Sequence, residues 1–195
     1  MSDQIRVVDI FQDNFRLDPD TGAVVSADTA LSVIFVSGIA YDRNAPGLGA
    51  TTLFGINAGS SDSLVRIGGV DGVPSPNGGV VTPIGSLGVD TSVLVGFDIA
   101  APEQGGRALA ALFVSMVGTS NLYEINLSTG QATLIGTIGT GRPTVDSLAI
   151  APAQLAKPVP TVSPLGLIAT IVFLAGLGAV HLTRRRRRSA EAVRA

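Results

Sequence analysis

The sequence predicts an all-β protein: an incomplete β-propeller-like array of antiparallel blades, followed by one C-terminal transmembrane α-helix. Three observations carry this. Glycine and proline are abundant, 24 and 11 in 195 residues, and aromatic residues make up only 5%, which suits many short strands joined by tight turns better than helices. A small apolar segment recurs as Val36–Asp42, Val95–Ala100 and Asp146–Ala151, with 58 residues from Gly38 to Gly96 and 51 from Gly96 to Ser147. That period fits a four-stranded blade with its loops. Finally, eighteen uncharged residues, Leu165–Leu182, run up to five consecutive arginines.

Taken in order, Met1–Asp9 has no basic start followed by an apolar core, so it does not read as a secretory leader, and the expectation is that the true start lies upstream. A hairpin pattern follows. Phe15–Val25 and Tyr123–Ile135 share an aromatic residue, an aliphatic one two positions on, Asp or Asn next, and Thr-Gly four residues later. Leu53–Asn57 begins in the same way and then diverges. Each is a strand, a polar turn with Gly where φ is positive, and a returning strand. The glycines and small residues of the recurring apolar segments suit close packing near an axis. One complete blade is expected at Leu94–Ala100, Ala108–Met116, Leu122–Leu127 and Ala132–Ile138. The alanines of Arg107–Phe113 also suit a short helix, but the preceding Gly105-Gly106 and the strand rhythm favour a strand. The expected organisation is a blade array over residues 1–151, a proline-rich linker over 152–164, a spanning helix over 165–183 and a basic cytoplasmic tail over 184–195.

As a helix, Leu165–Leu182 is about 27 Å long at about 1.5 Å per residue, close to the hydrocarbon thickness of a bilayer. Ten of its residues are Leu, Ile, Val or Phe, so insertion is favourable. Arg184, Arg185, Arg186, Arg187 and Arg188 form a stop-transfer cluster, which puts the C-terminus in the cytoplasm and the domain on the far side of an inner or plasma membrane. A buried helix and a nucleic-acid arm are the alternatives for the two stretches. Four prolines within 151–164 hold the domain semi-rigidly away from the bilayer.

Charge separates the two parts. Residues 1–156 hold six arginines and fourteen acidic residues, a balance of −8, and residues 157–195 hold seven basic residues and one acid, a balance of +6. So acidic a domain is a poor match for nucleic acid. No cysteine is present, which removes disulfide and thiolate chemistry and is compatible with an oxidising exterior.

Candidate chemistry is sparse. The sole histidine, His181, lies in the spanning segment, so Ser-His-Asp catalysis and histidine metal sites are not expected, nor is any cofactor. Asp18-Pro19-Asp20-Thr21-Gly22 has the alternating acids that open a calcium loop, but no bidentate Glu follows, and the equivalent Asn126–Gly130 has no acid, so a plain hairpin turn is the reading. Gly136–Gly141 is glycine-rich without the strand-to-helix setting of a phosphate loop. Asp42, Asp98 and Asp146, at ends of inner strands, either face a central channel, where carboxylate pairs act on a glycan, or satisfy neighbouring backbone N–H groups. The loop Asp71–Gly79 is long enough for binding or is an insertion.

Two resemblances add to this. Ile5–Val8, Phe15–Gly22, Gly38–Tyr41, Gly85–Val89, Gly96–Ile99 and Leu122–Gly130 follow one another as in the later part of the bacterial family called domain of unknown function 4394, over residues 3 to 151. The family's usual opening, Gly-Ile-Asp-Phe-Arg-Pro and a first Leu-Tyr hairpin, is missing, which again implies a chain truncated at its N-terminus; without the early blades two sheet edges stay open and self-association is expected. No activity is implied. The second resemblance is carried by Val159, Pro160, Thr161, Val162, Ser163 and Gly166, which resemble the IPTL-CTERM type of C-terminal sorting signal, akin to PEP-CTERM. Pro160, Thr161, Ser163 and Gly166 match its Ile-Pro-Thr-Leu-Ser-Glu-Trp-Gly motif, whereas Val159, Val162, Pro164 and Leu165 depart. The resemblance implies recognition and cutting by an exosortase-type transpeptidase; a permanent single-pass anchor is the other reading. Together these features predict a non-enzymatic envelope protein displaying a binding or structural surface to an unknown extracellular glycan or protein, the alternative being a glycan-acting hydrolase or lyase that uses channel-facing Asp residues.

Overall fold

The computed structural model describes residues 4–44, 47–59 and 61–151. The linker, the sorting motif at Val159–Ser163 and Gly166, the spanning segment with His181, and Arg184–Arg188 lie outside the described residues. Among those described, no helix is long and apolar enough to cross a membrane.

The described chain is all-β and folds as three antiparallel meanders. The first sheet holds β1 (Ile5–Val8), β2 (Asn14–Leu17) and β3 (Val24–Ala27). The second holds β4 (Val36–Tyr41), β5 (Leu53–Asn57), β6 (Ser63–Ile67) and β7 (Val81–Ser86). The third holds β8 (Val95–Ile99), β9 (Ala108–Val114), β10 (Thr119–Ile125) and β11 (Ala132–Thr137). This last sheet is the expected complete blade, within one to three residues at each end, and Arg107–Phe113 belongs to a strand rather than a helix.

The repeated hairpins form as the sequence implies. Asp18 Oδ1 accepts from the Asp20 and Thr21 amides at 3.0 and 2.8 Å, and Asn126 Oδ1 accepts from the Ser128 and Thr129 amides at 2.9 and 3.1 Å. Gly22 and Gly130 then take φ of 70° and 84°, a region that costs other residues about 1–2 kcal/mol. The turn between β5 and β6 is built differently, with the Gly59 amide donating to Asp62.

Two apolar layers join the sheets. Between the second and third, Ala40, Phe54, Ile56 and Leu64 pack with Val95, Phe97, Ala110, Leu112 and Tyr123; on the other face of the second sheet, Leu53, Val65, Ile67 and Val81 pack with Leu31, Val36 and Val8. Strand β5 is buried along its whole length because both of its faces are covered. The opening strands of the sheets lie side by side, and small residues allow it. A Cβ on Gly38 would stand 2.9 Å from Val95 Cγ1, and one on Gly96 would stand 2.4 Å from the Ser147 carbonyl carbon.

One expectation needs correction. Residues 146–151 lie against β8 as β8 lies against β4, but they belong to no strand. A strand is defined by its ladder, and no further strand is described beside this segment. Among the described residues, no closure of the three sheets into a ring is shown.

Candidate functional site

The aspartates singled out from the sequence divide among separate places. Asp98, on β8, accepts from the Ile99 amide at 2.8 Å and from the Ile150 amide at 2.6 Å, so its carboxylate ties residues 146–151 to the sheet, the backbone-satisfying role that the sequence left open. Asp146 is exposed. Asp42, just beyond β4, helps to build a cleft of about 610 Å³ with Asp71, the first residue of the long loop.

The cleft is assembled by local rules. At the end of β4 the chain turns, and Asp42 Oδ1 accepts from the Thr52 amide at 2.5 Å while the Asp42 amide donates to the Thr52 carbonyl at 3.0 Å. The Thr52 hydroxyl then accepts from the Asp71 amide at 3.0 Å. Arg43 is thereby held between two carboxylates, its Nε 3.2 Å from Asp42 and its Nη2 bonded to Asp71; the Asp71 hydrogen bond, and then that to Asp42, raise the Arg43 pKa above its ordinary value. Both Arg43 and Asp71 have positive φ, 48° and 56°. Two non-glycine residues in the left-handed region, paired with each other, strain this corner of the backbone, and such strain gathers at working surfaces.

Opposite this corner, Arg66 projects from β6, where it stands across from Phe54 in the ladder. Its Nε donates to the Gly68 carbonyl at a long 3.4 Å. Phe54, Val70, Ile84 and Leu127 give the cleft apolar walls, and Ser128 closes it from the β10–β11 turn. That turn is seated tightly: a Cβ on Gly130 would stand 2.3 Å from the Gly85 carbonyl oxygen on β7. A half-buried guanidinium with a weak internal partner, beside apolar walls in a cleft of this size, is suited to an anionic group carried on a ligand with apolar faces. A second cavity of about 490 Å³ is lined by neutral groups such as Gln12, Ser32, Ser63 and Pro83.

A buried polar cluster ties the first sheet to the second, and the sequence reading missed it. Arg6 and Arg16 stand directly opposite each other in the β1–β2 ladder, and Asp28 answers both. Arg16 reaches it with Nε and Nη2, each at 2.8 Å, and Arg6 Nη1 lies 3.2 Å away. Arg6 also donates to Tyr41 on β4 at 3.0 Å, to Asn14 and to Asn77 in the long loop. The Asp28 side chain is only 4% exposed, and the Arg16 hydrogen bonds, helped by Ser26 and the charge of Arg6, hold its pKa down at about 2. The sequence predicts no pairing of β1 with β2, and so carries no sign that two like charges would face each other, an arrangement that is destabilising without an anion between them.

The remaining candidates keep their plain readings. Hydrogen bonds from Thr21 hold the Asp18 pKa below the ordinary carboxylate range within its turn. Gly136–Gly141 ends in a turn closed by the Gly141 amide on the Ile138 carbonyl at 2.9 Å, with no helix after it among the described residues. Among the described residues no three His, Cys, Asp or Glu side chains are grouped to hold a metal ion.

A family model described as Domain of unknown function (DUF4394) matches residues 1–149, and the chain belongs to that family. No curated protein matches it. No solved structure matches it either.

Proposed function

We propose that this member of the family is a non-enzymatic, exported display domain whose propeller-like sheets present the Arg43–Arg66 cleft to an acidic glycan at the cell envelope. Residues 165–183 span the membrane, Arg184–Arg188 stay in the cytoplasm, and the linker sets the cleft away from the bilayer. An exosortase-type transpeptidase is the partner that reads Val159–Ser163 and Gly166. The observation that carries the binding role is Arg66: among the described residues its guanidinium has one long bond, to a backbone carbonyl, whereas Arg43 is already ion-paired with both Asp42 and Asp71. A uronate carboxylate would complete Arg66, and sugar C–H faces would lie on Leu127 and Ile84.

The test is calorimetry of the full chain in detergent micelles with oligosaccharides that carry or lack uronic acids. The expected outcome is measurable binding of the uronates, weakened at least tenfold by Arg66→Ala, with no new reducing ends. Release of reducing ends that stops in Asp98→Asn would replace this reading with a glycan hydrolase. Separately, alkaline extraction and protease shaving of intact cells should find the chain in the membrane fraction with residues 1–151 cleavable from outside. Recovery in the soluble cytoplasmic fraction would overturn the placement.

A further inference from the structure

The opening strands of the sheets repeat one packing rule. Along β4, Gly38 and Ala40 form a small face that receives Val95, Phe97 and Ile99 of β8, each no more than 6% exposed. Along β8, Gly96 and Asp98 form the next small face, against which residues 146–151 lie. Within that segment Leu148 and Ile150 are half-buried, while Ser147, Ala149 and Ala151 are exposed. A third small face is therefore present and uncovered.

The first sheet has the complementary gap. It has three strands where the others have four, and β1 touches β4 as β5 touches β8, so β1 is the counterpart of a second strand, and among the described residues no opening strand lies in the lane beside it. The face of β4 toward that lane carries Ser37, Ile39 and Tyr41. These are the counterparts of Val95, Phe97 and Ile99, yet they are only half-buried, and Ser37 Oγ is shut off from solvent with no hydrogen-bond partner among the described residues. The edge of β1 likewise has no strand partner among the described residues.

We propose that residues 146–151 of a second copy of this chain occupy the lane, pairing with β1 as an added strand and laying Ser147 and Ala149 on Ile39 and Tyr41. The occupant is argued from continuity: the interface repeated from β4 to β8 and from β8 to 146–151 is extended by one more step, and the same chain supplies both halves. Strand addition at an open edge gains main-chain hydrogen bonds and removes an aggregation-prone edge. Two copies exchanging the segment about a twofold axis would carry six four-stranded sheets, twice the three of one chain, which is within the range of about four to eight blades that closes a propeller. The inference rests on the propeller-like reading of the sheets and not on the ligand of the cleft.

The test uses the full chain in detergent micelles. Because the sequence has no cysteine, Ile39→Cys and Ser147→Cys report cleanly. A mixture of the two single variants should form a cross-linked dimer with a short bismaleimide, in at least tenfold greater yield than either variant alone. Native mass spectrometry should give a dimer, and Ala149→Arg, at an exposed position, should convert it to monomer with an unchanged circular dichroism spectrum. A monomeric wild-type chain, or a dimer indifferent to Ala149→Arg and therefore held by another surface, would overturn the proposal. Glycan binding measured on the same monomer would leave the cleft reading standing or falling by itself.

Discussion

In the β8–β11 sheet, Val95, Phe97, Ala108, Ala110, Leu112, Tyr123 and Ile125 are all buried, whereas in the β1–β3 sheet the one fully buried strand residue is polar, Asn14, and Ile5, Val7, Val24 and Val25 are exposed. Both sheets contain the same Asx-turn hairpin. What differs is cover. The third sheet lies against the second with its inner face filled by apolar side chains, while the first has three strands among the described residues and meets the second through Val8 and the Arg6 cluster. Apolar burial is roughly proportional to area and indifferent to direction; a buried guanidinium bonded at once to Tyr41, Asn14 and Asn77 accepts one geometry. A sheet short of apolar cover is thus positioned by polar specificity, and its stability is more exposed to single changes.

The largest predicted effect follows from that difference. Asp28→Asn keeps the shape of the side chain and leaves Arg6, with 5% of its side chain exposed, without its carboxylate. Removing one partner from a buried ion pair costs about 3–5 kcal/mol. The expected outcome is loss of amide exchange protection over residues 14–27 while residues 95–137 keep theirs. Simultaneous loss in both sheets would break the comparison, because it would make the polar cluster part of one global core.

Acid should produce a smaller version of the same event. The folded-state pKa of Asp28, about 2, lies below the ordinary value of 3.8, so its contribution is fully present above the unfolded value and is lost as pH falls from about 4 toward 2. At neutral pH the difference is worth about 2 kcal/mol. Thermal melts of the full chain between pH 6 and pH 2.5 should show the first sheet melting early, and the Asp28→Asn variant should have lost that part of the pH dependence. A pH profile unchanged by Asp28→Asn would show that other carboxylates carry the acid response.

What was legible in the sequence was local or periodic. Asp18–Gly22 and Asn126–Gly130 announced their turns because an Asx side chain, a Thr and a Gly at fixed offsets have few other uses, and the β8–β11 strands followed from the recurring apolar segment and the hairpin pattern. The close approach of β4, β8 and residues 146–151 followed from Gly38 and Gly96, where any side chain would collide. Less legible was whatever depends on which distant residues meet. Nothing near Arg43 or Arg66 in the sequence points to Asp71 or Leu127 as their neighbours, and Asp28 stands well away from Arg6 along the chain. Residues 146–151 read as a strand by composition, but strand character needs a ladder partner, and composition cannot supply one.

The smallest effect separates the two hairpins at matched positions. Gly22 and Gly130 have the same role and similar positive φ, so alanine at either carries the left-handed cost of about 1–2 kcal/mol. Their surroundings differ: nothing lies within 4 Å of a Cβ on Gly22, whereas one on Gly130 falls 2.3 Å from the Gly85 carbonyl oxygen. Gly130→Ala should therefore be the worse substitution, by about 1 kcal/mol or more of overpacking strain, read as the difference in denaturant midpoint at constant slope. It should also weaken uronate binding, because Leu127 and Ser128 line the cleft from the same turn. Equal costs for the two variants would mean that the β10–β11 turn is not seated on β7, and with the seat would go that wall of the cleft.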